Sequence, residues 1–351
     1  MRIASRPLVC FASSLSFVTL VSLARPSEAC SQTMDVVGVR AQGMGGAFTA
    51  VADDATASWW NPAGLAGGAY FNALLEYVRH QEPPSDHTEA GDPQSARRAT
   101  TRSFAVAFPA LGLSYYRVQV SEIQPQTSTG TAAAVRQEGG ATEVHLRSMV
   151  LSQFGASVGQ SLGSHLVIGA TFKVMSAGAV SHVETLSSGS LDAADHLDPS
   201  GDVHAGLDIG AMAVFGPARI GLMVRNVEES EFGSGADAFT LSRHARVGAA
   251  VSSGTRGIIG GATVAVDADL TKTTTVFGEE RRLAAGGELW TSARTFGFRG
   301  GVGVNTIGER RTSLSGGLSA ALKKGMYAEG ELTAGTDQGR KGWGIALRVT
   351  F

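Results

Sequence analysis

The chain has almost no cysteine. Only Cys10 and Cys30 occur, and Cys10 falls in a segment read below as cleaved, so the mature chain can form neither an internal disulfide nor a cysteine-based metal site. Basic excess is missing too. The formal net charge is −2 at pH 7, and binding a phosphate backbone needs clustered Lys and Arg, which argues against nucleic acid as a partner. Beyond residue 30 there is no uninterrupted apolar stretch of the roughly 18 residues a spanning helix requires, which excludes transmembrane helices. Helical periodicity is scarce after residue 68. No nucleophile elbow, paired acidic site or Ser-His-Asp set stands out, so no catalytic residue is expected and the chain is read as a non-enzyme.

What the chain has is glycine, 46 residues against 10 proline, and period-two alternation in one segment after another. Phe71, Ala73, Leu75 and Tyr77 alternate with Asn72, Leu74 and Glu76; Leu166, Ile168, Ala170, Phe172 and Val174 alternate with Val167, Gly169, Thr171 and Lys173. One side of each segment stays free of charge. The spacing predicts fourteen strands, near 69–79, 101–108, 112–120, 143–157, 164–176, 203–215, 218–227, 243–252, 260–271, 281–291, 295–304, 311–322, 326–334 and 342–351. Their connections alternate between long polar loops and tight turns, as in a transmembrane antiparallel barrel. A soluble β-sandwich is the alternative, and it predicts no such asymmetry. A change of phase around Ser148 suggests a bulge.

Both ends point to the same compartment. The last strand places Trp343, Ile345, Leu347, Val349 and Phe351 on one side, and a chain that stops on Phe resembles outer-membrane barrels, whose closing strand carries an assembly signal. Arg2 and Arg6 precede an apolar run from Val9 to Leu23, followed by small residues at Ser27 and Ala29, the pattern of a signal peptide over residues 1–29. A lipidated Cys30 is the competing reading, against which Ser27 stands where a lipobox has Leu.

Positions expected to face the lumen are mostly Gly, Ala, Ser or Thr, with isolated charges at Lys173, Asp208, Arg219, Arg225, Arg246, Asp267, Asp269, Arg282, Glu288, Arg299, Glu329, Glu331 and Arg348. A fourteen-stranded barrel is too wide for such side chains to fill. Either the bore is open or the segment 30–68 plugs it, leaving 69–351 as the barrel. That segment contains Gly43-Met44-Gly45-Gly46-Ala47-Phe48, then Asp53-Asp54, then Ser58-Trp59-Trp60-Asn61-Pro62-Ala63. Its glycines permit tight packing, Asn61 before Pro62 is biased to extended backbone, and residues 53–60 fit a short helix capped by Asp53.

These residues resemble the N-terminal hatch of the FadL/TodX (OmpP1) outer-membrane transport family, in particular its smaller PorV-like branch, which also has fourteen strands. The resemblance implies a bacterial outer-membrane barrel for passive uptake of small hydrophobic molecules, with Gly43, Gly45, Gly46, Asp53, Asp54, Asn61, Pro62 and Ala63 as hatch and gate residues. It implies no cofactor. The alternative within the resemblance is an outer-membrane adaptor that anchors secreted proteins or secretion components. One departure stands out: loops 121–142 and 177–202 contain no Phe or Trp, so an alkyl chain would find little apolar surface there.

Other constellations carry less. Gly43-Met44-Gly45-Gly46 lacks the Lys and the βα context of a phosphate loop. His182, Asp192, Asp195, His196, Asp198, Asp202 and His204 share one stretch but fit no EF-hand spacing, and a solvated loop looks the same. Arg97-Arg98 and Arg102 are a candidate for lipopolysaccharide phosphate or an ordinary interfacial charge belt. An outer-membrane esterase would need a His and a Ser on adjacent strands, and His204 and His244 have no identifiable partner.

Overall fold

The computed structural model describes residues 36–83, 95–125, 143–185, 191–197, 199–336 and 339–351. The expected signal peptide, Cys30, residues 30–35 and most of loop 121–142 lie outside the described residues, as does Asp198. A helix α1 (Val39–Gly43), a helix α2 (Ala57–Trp60) and a 3-10 turn (Pro62–Gly67) come first. Strands β1 (Asn72–Glu82), β2 (Ala96–Phe108), β3 (Leu111–Pro125), β4 (Glu143–Leu162) and β5 (Leu166–Thr185) follow, then a helix α3 (Leu191–Asp195), β6 (Asp202–Phe215) and β7 (Ala218–Arg225). A small hairpin of β8 (Ser230–Phe232) and β9 (Phe239–Leu241) precedes β10 (His244–Ser253) and β11 (Ile259–Asp269), and another, β12 (Thr273–Thr275) with β13 (Gly278–Glu280), precedes β14 (Arg282–Thr291). The chain closes with β15 (Phe296–Asn305), β16 (Thr312–Lys323), β17 (Met326–Gly335) and β18 (Lys341–Thr350).

Fourteen of these strands form one closed antiparallel barrel, and β1 pairs with β18 in the register Asn72↔Thr350 to Gln81↔Lys341. Closure leaves no strand edge unpaired, the condition for crossing hydrocarbon with sheet. Phe351 seals the seam: its N–H donates to Phe71 O at 2.9 Å, and its ring stacks on Phe71 at 6.2 Å. Turns at one end are short and carry positive φ, as at Ala110, Gly163, Gly216, Arg294 and Gly325, which matches their twist to the flanking strands. The connections at the other end are long and hold both hairpins.

Alternation fixes which side each residue faces. Leu75, Phe104, Leu113, Phe154, Phe172, Val264, Val266 and Leu347 are exposed on the outside. Their inward neighbours, Glu76, Ser103, Ser114, Gly155, Thr171, Ala265, Asp267 and Arg348, are buried. The wall is therefore apolar outside and polar inside, the reverse of a water-soluble fold.

Two expectations need correction. β4 keeps one register with both neighbours from end to end, so there is no bulge at Ser148. The change of phase arises because α3 lies against the outer face of the wall, where Val144 and Leu146 form a small core with Ala194. Stretch 177–202 is not one loop, since β5 continues to Thr185 and its ladder with β4 runs to Glu143↔Thr185. Of the two readings of the bore, open or filled, the described residues show a filled one: Val37, Met44, Phe48, Trp59 and Trp60 are all buried within the ring of strands.

The face assignment can be measured directly. Val266→Arg, outward and near the middle of the apolar band, is expected to cost on the order of 2–4 kcal/mol, and Gln81→Arg, outward but near the long-loop end, about 0–1 kcal/mol. Equilibrium folding titrations into lipid vesicles report both values.

Candidate functional site: a luminal segment seated on glycines

Residues 36–68 cross the lumen as a chain of short turns, and the wall is shaped to receive their backbone. Three glycines lie in register across neighbouring strands, Gly159↔Gly169 and Gly169↔Gly210. The turn at Asn61, Pro62 and Ala66 rests on them. A Cβ at Gly210 would stand 2.9 Å from Pro62 Cδ, and one at Gly159 would stand 3.3 Å from Pro62 O. The paired Gly221 and Gly248 receive Thr49 in the same way, and the paired Gly286 and Gly301 receive Met44 and Gly45. Gly45 itself has φ 70° and would put a Cβ 2.7 Å from Val302 N. Two independent reasons thus require glycine there.

Polar contacts then hold the seated chain. Glu76 accepts hydrogen bonds from the N–H groups of Gly38 (2.8 Å) and Val39 (3.1 Å), and Asp267 accepts from those of Phe48 (2.9 Å) and Thr49 (2.8 Å). Asn61 donates from Nδ2 to Thr49 O at 2.9 Å and to Ala211 O of β6 at 3.2 Å, while its Oδ1 accepts from Ala63 N–H at 3.1 Å. One side chain therefore ties two turns of the inner segment to the wall. Its extended backbone, φ −169°, is the conformation favoured before proline, and Pro62 opens the 3-10 turn, where its missing N–H costs nothing.

Arg40 is the charged centre of the segment. Its Nε and Nη2 meet the two oxygens of Glu288 at 2.8 Å each, and its Nη1 reaches Asp54 at 3.2 Å and also pairs with Asp53. Burial opposes the charge on Arg40, but Asp53, Glu288 and Asp54 more than offset it, so its pKa stands well above the ordinary arginine value. The network continues along the wall from Glu288 to Arg299 (2.6 Å), from Arg299 to Glu329 (3.2 Å) and from Glu329 to Arg348 (2.8 Å). A buried bidentate pair fixes geometry more than it adds stability.

The remaining expected residues divide by partner. Gly43 lies against Gly317 and Arg299, while Gly46 has φ 89° and faces Trp60. Asp53 is half-exposed and caps no helix: α2 starts after Thr56, and Asp54, not Asp53, accepts from Thr56 N–H at 2.9 Å. Lys173 pairs with Asp208 at 2.7 Å, and Arg225 sits 4.6 Å over the Trp59 ring. Arg219 reaches Val51 O at 3.4 Å, and Asp269 pairs with Arg246 at 2.6 Å. His244 lies between Arg225 (3.2 Å) and Asp269 (3.1 Å), whereas His204 is exposed and packs edge-on to Phe232 at 4.7 Å. Arg97 turns inward to Glu82 and Glu122, so it does not share a surface with Arg98 and Arg102.

Toward the long-loop end the lumen is apolar on the side of β3, β4 and β5, while across from it Glu82, Arg97, Glu280 and Arg311 form a buried charged cluster. The rings of Phe232 and Phe239, on the β8–β9 hairpin, stack at 5.6 Å, and they join Val118, Val120, Met149, Leu151 and Met175 in one buried cluster with the inner segment. Below it Tyr116 meets Trp59 at 5.0 Å and Ser58 Oγ at 2.8 Å. On the outside of the wall, directly behind Gly169 and Gly210, runs an apolar groove of about 580 Å³ lined by Val158, Ile168, Ile209 and Leu222. Sequence reasoning missed Arg40, Glu76 and this aromatic cap. Glu76 left a signal, as a lone charge amid an apolar strand.

Residues 68–269, from just before β1 through β11, match the family described as "F plasmid transfer operon, TraF, protein". The chain belongs to that family. No curated protein matches it. Among solved structures it is similar to the CymD monoaromatic hydrocarbon channel, with TM-score 0.59, 14% identity and coverage of 91% of this chain and 98% of that one. It is similar also to the Ralstonia pickettii toluene transporter TbuX, with TM-score 0.55, 14% identity and coverage of 91% and 99%. The P. putida toluene transporter TodX gives TM-score 0.56, 11% identity and coverage of 91% and 99%. At these identities the likeness establishes the fold alone, a closed fourteen-stranded antiparallel β-barrel with the architecture of these channels.

The glycine seat makes a sharp stability prediction. Gly210→Ala forces Asn61 and Pro62 to move and is expected to cost about 1–3 kcal/mol, as overpacking does. Gly67→Ala, with no atom within 4 Å of the added Cβ, should stay within about 0.5 kcal/mol. Urea unfolding midpoints of the two variants in lipid check the difference.

Proposed function

We propose that this protein is a passive outer-membrane conduit for small hydrophobic molecules, a transporter rather than an enzyme, in which the inner segment is the gate. The observation that carries the reading is the continuous apolar column. It runs from Phe232 and Phe239 through Met149 and Met175 to Trp59, beside Asn61 and Pro62, and behind that turn lies the apolar outer groove. The apolar surface that loops 121–142 and 177–202 lack is supplied by the β8–β9 hairpin and the upper strands. Methionines there yield to an entering ring at little cost.

Magnitudes suit passage. A monocyclic ring burying roughly 150 Å² gains about 4 kcal/mol at ~25 cal/mol per Å², an affinity near millimolar. That is enough to draw a ligand in and too little to trap it. The neighbours described as toluene transporters and monoaromatic hydrocarbon channels support this substrate class. Displacing the Asn61–Pro62 turn from its glycines clears the lumen beside β4–β7, and exit to the groove then requires the ladder between β5 and β6 to part at Gly169↔Gly210. The competing reading, an adaptor for a protein-transfer apparatus, draws on the family description and on the many ties that hold the segment; it expects a lumen that never opens.

Uptake by vesicles with a lipopolysaccharide outer leaflet separates the two. Entry of toluene, an alkane or a fatty acid should exceed that into protein-free vesicles. In planar bilayers Asn61→Ala and Arg40→Met should raise conductance above the intact protein. Entry equal to that of protein-free vesicles for every compound class would reject transport.

A further inference from the structure

The outer face of β1–β3 breaks the apolar rule of the wall. Above Leu75, Phe104 and Leu113 it carries Arg79, Arg98, Arg102 and Arg117, all at outward positions. Arg102 and Arg117 stand directly opposite each other on adjacent strands. Tyr77 flanks the pair on β1 and Ser152 on β4. Two like charges facing each other across a sheet are destabilising unless an anion lies between them.

The neighbouring carboxylates are committed elsewhere. Asp192 and Asp195 of α3 bond to Arg98 Nη1 at 2.6 and 2.8 Å, and Arg79 is 3.8 Å from Asp192. Arg102 lies 6.0 Å over the Tyr77 ring, and Arg117 donates to Ser152 Oγ at 3.2 Å. Among the described residues neither is paired with a carboxylate.

We propose that the Arg102–Arg117 pair binds a phosphorylated lipid headgroup of the outer leaflet. Guanidinium forks match phosphate oxygens, and the exposed Phe104, Tyr115 and Phe154 just beneath offer acyl chains a surface in the direction they must run. That second contact selects a lipid over free phosphate. α3 closes the upper edge of the site, its two carboxylates drawing Arg98 toward itself and leaving the lower pair to the ligand. The site depends on the membrane orientation of the barrel and not on what crosses its lumen.

The test uses the full mature protein in phosphatidylcholine nanodiscs, titrated with diphosphorylated lipid A and followed by native mass spectrometry. Binding should exceed that of chemically dephosphorylated lipid A, and an equal concentration of inorganic phosphate should not displace it. The double variant R102Q/R117Q should bind roughly thirtyfold more weakly, the loss expected for two surface cations. R310Q, an exposed arginine in a loop at the same end, should bind as the parent does. Equal binding of dephosphorylated lipid A, a comparison that needs no variant, would overturn the proposal. So would displacement by equimolar phosphate, or an R102Q/R117Q protein that binds like the parent.

Discussion

The structure depends on one steric constraint: the inner segment lies closer to the wall than a Cβ would permit at Gly169, Gly210, Gly221, Gly286 and Gly301, while Gly159 at the edge of the seat leaves slightly more room. In-register glycines make that approach possible at three places, beneath Met44–Gly45, Thr49 and Asn61–Pro62. Glycine inside a strand usually weakens it, by lost packing and added entropy in the unfolded chain. Here the loss is offset by burying an entire segment that would otherwise leave a wide polar bore. The high glycine content is thus a record of what sits inside the barrel.

Electrostatics follow from that seat. Once the segment is in place the N–H groups of Gly38, Val39, Phe48 and Thr49 are buried, and Glu76 and Asp267 supply the acceptors that satisfy them. Arg40 adds a charged tie to Glu288, and three further wall residues extend it. Leaving one member of such a network unpaired in a buried site costs far more than the intact network contributes. The ties therefore specify one position for the segment. A conduit gated by that segment trades them for water or ligand only when the whole turn moves.

Much of this was legible in the chain. Fourteen strands emerged from period-two alternation because each strand has one lipid-facing side, and the expected strands coincide with the barrel strands to within a few residues over most of the wall. The extended turn at Asn61 and Pro62 was marked by residue type, and their place in a hatch by the resemblance alone. Pairings between distant positions were not. Nothing local says that Arg40 meets Glu288, that Gly159, Gly169 and Gly210 align, or that residues 191–195 fold back on the outside of β3 and β4. Register across a closed sheet sets each of these, and one sequence does not encode register in any short window. The helix over 53–60 failed for a local reason: Asp54 makes its own turn with Thr56, which delays α2 to Ala57.

The central claim is that the turn at 61–67 must leave its glycine seat for a ligand to pass. A Cβ on Gly159 would lie 3.5 Å from Ala66 Cβ, within the range a disulfide spans. Ala66→Cys with Gly159→Cys, in a Cys30→Ser background, gives a tether that can be closed and reopened. Toluene uptake into vesicles with a lipopolysaccharide outer leaflet should vanish when the tether is oxidised and return on reduction. Equal uptake in the oxidised and reduced states would show that the turn stays in place while ligand passes, and would contradict the account.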